Sequence, residues 1–417
     1  MEEQSARQRR EEVVTIEKLT YGGDGLARLP EGKVIFVPYT LPGESVRLSV
    51  ESEKRSFARG QVLSVLKPSE HRRPARCKHF GECGGCQFQH IDYAEQLRLK
   101  RETLVEELRA VRGLERPPVE DTVPSPKAWN YRNKLEFRLT PDGRLAYLSR
   151  GGRRLVPIEE CFLPEDALAA TWPQLEFEPD LPLERVTLRQ GTNDDVLLLL
   201  EGEEEDAPEF SVDFPISAVY QGPSKQVLLA DTDSVILDVL GRPFKVSAAS
   251  FFQVNTEQIS AMVEYVLTSV QTERAGLAMD LYSGVGLFSA FLAPSFEQVI
   301  AVEASEPACA DFVENLADFE NVALYVGAAE DVLPLLDASP DLVLVDPPRE
   351  GLDPRALESI LHLKAPRLVY VSCDPATLAR DLKALLAGGY ALERVTPFDL
   401  FPQTYAIESI SLLHFHG

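Results

Sequence analysis

Apolar and polar positions alternate in short runs near the front of the chain. The runs are Val13-Val14-Thr15-Ile16, Lys33-Val34-Ile35-Phe36-Val37, Ser45-Val46-Arg47-Leu48-Ser49-Val50 and Gly60-Gln61-Val62-Leu63-Ser64-Val65. Gly22, Gly23, Gly25, Gly32, Pro42 and Gly43 punctuate them. A period of two broken by turn residues predicts a small antiparallel barrel of about five strands. From Tyr93 to Val111 the period becomes helical, with Leu97, Leu104 and Leu108 on one side among many charges. That composition predicts a solvated surface helix, ended by Pro117-Pro118. Between about 120 and 250 lie further strand-like runs, Lys134 to Leu139, Leu145 to Leu148, Arg185 to Leu188 and Val196 to Leu200. They predict a mixed α+β insert around an antiparallel sheet. The last domain begins near Ser250 with a helix, Thr256 to Thr268, capped by Asn255 or Thr256 and carrying Glu257 in its first turn. Strands then alternate with helices: Gly276 to Tyr282, Gln298 to Glu303, Val322 to Val326, Asp341 to Asp346, Leu368 to Ser372 and Ala406 to His414. Such alternation means crossover connections and a doubly wound, largely parallel, Rossmann-like sheet.

Length and charge refine this picture. A chain of 417 residues holds two or three domains with substantial cores. No apolar run approaches the roughly 20 residues that span a bilayer, and Met1-Glu2-Glu3-Gln4 is too polar for a secretory signal, so a cytoplasmic protein with no membrane partner is expected. The net charge of −24 argues at first against an RNA partner. Its distribution reverses that inference: residues 1–160 hold 29 Lys+Arg against 24 Asp+Glu, or +5, and the remainder 13 against 42, or −29. Anion binding is therefore expected of the front of the chain rather than the back. The tract Glu201-Gly202-Glu203-Glu204-Glu205-Asp206 reads as a solvated loop. Asn130-Tyr131-Arg132-Asn133-Lys134 mixes an aromatic with basic and amide groups, a set able to stack on a base and grip a phosphate.

Three thiols are crowded at Cys77, Cys83 and Cys86, after the basic run His71-Arg72-Arg73-Pro74-Ala75-Arg76. In a cytoplasmic protein this C-x5-C-x2-C spacing favours a metal or cluster over a disulfide. The fourth ligand is open by spacing alone. His79 or His90 would complete a zinc site, whereas Cys161 would complete a thiolate set suited to a four-iron cluster.

Chemistry gathers at strand tips. Leu368 to Val371 runs into Ser372-Cys373-Asp374-Pro375, and Leu342 to Val345 into Asp346-Pro347-Pro348-Arg349. In open α/β sheets these carboxyl ends face the ligand. Asp280-Leu281-Tyr282-Ser283-Gly284-Val285-Gly286 resembles a truncated dinucleotide turn, its third glycine position holding Ser289, and Glu303 follows about twenty residues later to bind ribose hydroxyls. The carboxylate of Asp280 favours the cationic S-adenosylmethionine over a pyrophosphate. A methyl donor beside a thiol suggests methylation at carbon 5 of a pyrimidine. Cys373 would add to carbon 6, and Glu408, flanked by Ile407 and Ile410, would remove the carbon-5 proton. The bland alternatives are a buried structural thiol and an edge-strand acid. Asp346 would accept from uracil N3–H or hold the cofactor.

Two known patterns are met by these residues. Leu19-Thr20-Tyr21-Gly22-Gly23-Asp24-Gly25-Leu26-Ala27-Arg28, with Phe36-Val37-Pro38 and Leu41-Pro42-Gly43-Glu44, resembles the TRAM domain, an OB-like RNA-binding barrel. Lys54, Arg55 and Arg59 would be its phosphate contacts. Phe252-Gln253-Val254-Asn255, the Asp280–Gly286 turn, Asp346-Pro347-Pro348-Arg349, Ser372 to Asp381, and Asp399 to Thr404 resemble the RNA 5-methyluridine methyltransferases. The likeness covers nearly the whole chain and is greatest to the branch with a TRAM domain and a four-iron cluster that acts on 23S ribosomal RNA. It implies a [4Fe-4S] cluster on Cys77, Cys83, Cys86 and Cys161, nucleophile Cys373 and base Glu408. Cofactor contacts are implied at Gln253, Tyr282, Gly284, Glu303 and Asp346. Three domains are expected: a TRAM barrel over 1–67; a central iron–sulfur domain over 68–89 and 119–249; and a methyltransferase domain over 90–118 and 250–417, acting as a monomer. The family's Phe-Cys before the glycine turn is Tyr282-Ser283 here, and its histidine two positions before the base is Ala406. A tRNA substrate, a cytosine-5 methyltransferase and a non-catalytic iron–sulfur RNA-binding protein are the competing readings; Ser372-Cys373-Asp374 lacks the Pro-Cys or Thr-Cys of the second.

Overall fold

A computed structural model describes residues 10–270 and 275–417. Its first sheet contains β1 (Glu11–Thr15), β2 (Lys18–Leu19), β3 (Asp24–Arg28), β4 (Val34–Pro38), β5 (Ser45–Glu53) and β6 (Phe57–Lys67), in the order β1-β5-β6-β4-β3-β2. Alternating side chains of Val14, Ile35, Val37, Val46, Leu48 and Ala58 fill its interior. The predicted all-antiparallel pairing fails at one place: β4 and β6 run parallel.

Helix α1 (Tyr93–Leu108) starts where the Asp92 side chain accepts from Glu95 N–H. It is not the solvated helix its charges predict. Leu99, Leu104 and Leu108 are buried, and the helix packs on α8 (Pro375–Ala387) and β21 (Tyr390–Phe398). Its Lys100 ammonium is buried too, 2.6 Å from the carboxylate of buried Asp399. A charge can enter a core when its partner enters with it.

The central sheet is built from β7 (Lys134–Leu139), β8 (Leu145–Leu148), β9 (Leu155–Pro157), β10 (Leu183–Gln190), β11 (Val196–Gly202), β12 (Ser217–Gln221) and β13 (Gln226–Ala230), ordered β13-β12-β11-β10-β7-β8-β9. It is mixed, since β11 and β12 pair in parallel. Short α2 (Asp166–Thr171) packs on β10, and Phe137, Val186, Leu198 and Trp172 share the core. The hairpin β14 (Ser234–Val239) and β15 (Arg242–Ser247) precedes residue 250, yet its Leu237, Phe244 and Val246 join the core of the C-terminal domain.

That domain holds β16 (Ala275–Leu281), β17 (Phe296–Glu303), β18 (Val322–Val326), β19 (Leu342–Val345), β20 (Arg367–Ser372), β21 and β22 (Glu408–Phe415). Their order is β18-β17-β16-β19-β20-β22-β21, with β22 antiparallel to both neighbours. Helices α3 (Thr256–Ser269), α4 (Leu287–Leu292) and α5 (Glu306–Asn315) cover one face, and α1, α6 (Ala329–Val332), α7 (Pro354–Leu363) and α8 the other. Asn255 caps α3 by accepting from Gln258 N–H at 3.3 Å. Coverage on both faces explains the continuous apolar runs of β19 and β20. The sequence reading missed β21, whose Glu393, Arg394 and Pro397 break the pattern around a bulge at Leu392/Arg394. Strand order reverses between β16 and β19, and the carboxyl ends there form the crevice of such sheets. No described helix is long and apolar enough to cross a membrane.

Candidate active site

Backbone pairing alone brings Cys373 to Glu408. Ser372 pairs with Ser409 at the last rung of β20 and β22, so the chain leaves β20 at Cys373 opposite the first residue of β22. Asp374 then caps α8, its Oδ1 accepting from Ala376 N–H at 2.9 Å and Thr377 N–H at 3.1 Å. The thiol is half-buried. Glu408 is 1% exposed, and its Oε1 has no hydrogen-bond partner. Since β22 lies between β20 and β21, Glu408 is no edge-strand acid.

Ionisable groups from neighbouring strand tips act on the half-buried thiol. Burial, and after it Glu408 and Asp346, push the Cys373 thiol up to about 12, while the Arg349 guanidinium pulls it down. Burial holds Glu408 well above the carboxylate range; Asp346 adds to this and Arg349 opposes it. Asp346 itself is raised to about 7, by burial first and then by Asp280. Burial thus favours the protonated forms of the thiol and of Glu408, while Asp346 lies close to half-titration at neutral pH. Arg349, exposed at the tip after β19, is the cation that favours ionisation of Cys373 and Glu408. Its place in Asp346-Pro347-Pro348-Arg349 was visible in the sequence, but its reach to two other strands was not.

The glycine turn follows β16. Tyr282 is left-handed at φ 64°, and its N–H donates to Val302 O. Gly284, at φ 56°, has nothing within 4 Å of where a Cβ would lie, so space opens above it. Gly286 is required for packing, since a Cβ there would come 2.3 Å from Leu316 Cδ1. Glu303 accepts from Gly284 N–H at 2.8 Å with one oxygen and from Ala304 and Ser305 N–H with the other. It thus stands at the turn, held by backbone donors. Gln253 lies half-buried two residues before the cap of α3. Asp280 departs from its expected role at the sulfonium: it is fully buried, with Oδ2 accepting from Ser289 Oγ at 2.6 Å. It supports the turn from beneath, and burial raises it to about 7.

A cavity of about 1060 Å3 holds the four thiols together with Arg349 and the loop before Glu408. Arg349, Phe401, Thr404, Tyr405 and Ala406 line one end, and Cys77, Cys83, Cys86 and Cys161 the other. Burial raises all four thiols, Cys83 to about 11 and Cys86 to about 12. The guanidinium of Arg132 lowers Cys83, Cys86 and Cys161. The two candidate histidines sit differently: His79 lines the same cavity, whereas His90 is buried outside its lining. His79 Nε2 accepts from Glu159 N–H, and His90 is packed between Tyr39 and Phe80. Among the described residues, no three His, Cys, Asp or Glu side chains converge on a single-ion position. The expected base-stacking role of Asn130–Lys134 is corrected. Tyr131 is 2% exposed and donates to Pro402 O, and Asn133 ties β7 to Gln253 O and Thr256 Oγ1. These residues join two domains and leave no ring face open to a base.

Comparison with known proteins follows the same lines. The model of the tRNA (uracil-5-)-methyltransferase family matches residues 211–339 and 329–415, and that of the TRAM domain residues 6–63. The chain is 34% identical to an RNA methyltransferase of Halalkalibacterium halodurans, across 96% of each. It is also 34% identical to one of Aquifex aeolicus, covering 96% of this chain and 97% of that one. Among solved structures it is similar to the Pyrococcus abyssi tRNA (uracil-54, C5)-methyltransferase in complex with S-adenosyl-L-homocysteine. The TM-score is 0.73 at 26% identity, over 96% of this chain and 100% of that one.

Proposed function

The chain belongs to the uracil-5-methyltransferase family and is a TRAM-containing, S-adenosylmethionine-dependent RNA methyltransferase; from this we propose that it methylates carbon 5 of a uridine in 23S ribosomal RNA through a covalent Cys373 adduct. The observation that carries the mechanism is the meeting of Cys373, Glu408, Asp346 and Arg349 at the tips of three strands. Bound S-adenosylmethionine supplies an electrophilic methyl carbon. Gly284, Tyr282 and Glu303 at the open turn, with Gln253 and Asp346, would hold it. The Cys373 thiolate adds to uracil carbon 6, making carbon 5 nucleophilic. Carbon 5 would take the methyl group from the sulfonium and so release S-adenosylhomocysteine; Glu408, in its ionised form, takes the carbon-5 proton, and the C–S bond breaks to return the thiolate. Arg349 favours the two anions these steps require.

Cys77, Cys83, Cys86 and Cys161 fit a four-iron cluster better than zinc. They are four thiols lining one cavity, an all-thiolate donor set, and Arg132 beside them offers charge to an anionic cluster. The ribosomal reading is supported by the barrel together with this thiol set. A tRNA substrate is favoured instead by the likeness to the Pyrococcus enzyme. Mapping 5-methyluridine in ribosomal and transfer RNA from cells lacking the gene decides between them: loss from 23S RNA is expected, and loss from tRNA alone overturns that choice. In vitro, Cys373→Ala should transfer no methyl to uridine, whereas Glu408→Gln should trap methylated RNA on the protein through denaturing electrophoresis. Anaerobic purification should yield about four irons per chain, lost in Cys161→Ser.

A further inference from the structure

The turn between β2 and β3 of the barrel reaches the catalytic domain beside the nucleophile. Tyr21 OH donates to Asp374 Oδ2 at 2.9 Å. Asp374 follows Cys373 directly, and its other oxygen is committed to the start of α8. The barrel thus occupies the one carboxylate oxygen that the helix leaves open. Burial and the facing Asp374 both hold the Tyr21 phenol far above its ordinary range, so it stays a donor.

The turn is braced on every side. Within it, Thr20 N–H donates to Asp24 O and Gly23 N–H to Thr20 O. Arg150 of the central domain donates to Gly22 O at 3.1 Å and to Asp24 Oδ1 at 2.6 Å. Gly23 sits at φ +78°, and a Cβ there would come 3.0 Å from Phe88 and 3.1 Å from Tyr405 Cβ. The Tyr21 and Tyr405 rings meet edge-to-face with centroids 5.7 Å apart. Tyr405 belongs to the loop that leads to Glu408. One barrel turn therefore touches both the peptide after the nucleophile and the loop before the base.

We propose that Tyr21 is a positioning residue for methyl transfer: its hydrogen bond to Asp374 fixes the Cys373 loop, so that the barrel completes the catalytic site as well as binding RNA. This rests on the methyltransferase reading above. Holding a nucleophile loop in its reactive geometry is worth rate, not affinity. The Tyr21→Phe substitution removes only the hydroxyl and keeps the ring against Tyr405.

The test uses the full chain, with total ribosomal RNA and tRNA from cells lacking the gene as substrate. For Tyr21→Phe, kcat should fall about tenfold while KM for RNA stays within twofold. Asp374→Asn should lose a similar factor, and the double variant should lose less than twofold more, because one contact is being removed twice. A kcat within twofold of wild type for Tyr21→Phe, or losses that multiply in the double variant, overturns the proposal. A readout without RNA separates this from the functional reading. Iodoacetamide alkylation of Cys373 at pH 9, followed by mass spectrometry, should be at least threefold faster in Tyr21→Phe, because the half-buried thiol is released with its loop. An unchanged or slower rate overturns the positioning role even if wild type methylates RNA; a rate at least threefold faster supports it even if uridine is not the base modified.

Discussion

Glu408 carries its proton at a cost that depends on pH. Its folded pKa lies above the unfolded value of about 4.3, so the folded state binds the proton more tightly. A raised carboxyl pKa weakens the fold as pH climbs past the unfolded value, progressively up to the folded one. Glu408→Gln should therefore unfold a few degrees higher than wild type at pH 8 and with little difference near pH 4.5, as thermal scans at the two pH values would show. Arg349 acts on the same groups from the opposite side. Without its charge, Cys373 and Glu408 ionise less readily. Arg349→Gln should move the acidic limb of the pH profile of kcat/KM upward and lower the plateau roughly a hundredfold, in line with the general scale of acid–base assistance. At this scale the sequence showed much. Cys373 and Glu408 stood out by their place at the ends of apolar strands, and Cys161 was named as partner to Cys77, Cys83 and Cys86 through a resemblance that no spacing could supply. Arg349 and Tyr21 were read only inside their motifs, because charge and hydroxyl groups act through space along directions the chain order does not contain.

Helix α1 makes the same point for an element. Its periodicity and boundaries were legible, and the resemblance grouped it with the catalytic domain, but the burial of Lys100 was not legible, because a lysine among charges looks solvated until its partner 299 residues away is known. The same helix clamps the loop before Glu408: Gln96 Nε2 donates to Gln403 Oε1 at 3.0 Å, and Gln403 N–H donates to Gln96 Oε1 at 3.0 Å. Lys100→Ala should cost about 3–5 kcal/mol in denaturant unfolding, since it strands the Asp399 carboxylate in the core. Lys100→Met combined with Asp399→Leu should recover most of that loss. Strand β21 was missed for a related reason. Its polar residues fall where the sheet ends and a bulge intervenes, so local alternation fails although the ladder to β22 continues. The sheet as a whole was readable because strands buried on both faces are apolar throughout.

For the whole molecule, the split of charge is the feature with the clearest measurable consequence. The basic surplus lies in residues 1–160, and Lys54 and Arg55 stand exposed on the β5–β6 hairpin. If that hairpin grips phosphates, Lys54→Glu with Arg55→Glu should weaken RNA binding at low salt and flatten the slope of log affinity against log salt by about 2, leaving the kcat of saturated enzyme near wild type. Filter binding across a salt series checks it. The sequence alone determined which residue types end each strand, the order in which strands and helices alternate, and the resemblance that joins barrel, thiols and glycine turn in one chain. These are local or cumulative properties, set by side-chain periodicity and turn chemistry within a few residues. Only the tertiary structure decided that Lys100 of α1 is buried against Asp399, that Tyr131 is closed to a base, that the four thiols share a cavity with Arg349, and that a barrel turn touches Asp374. Each of these depends on groups far apart in the chain meeting in space, where burial and neighbouring charge, rather than residue identity, set what a side chain can do.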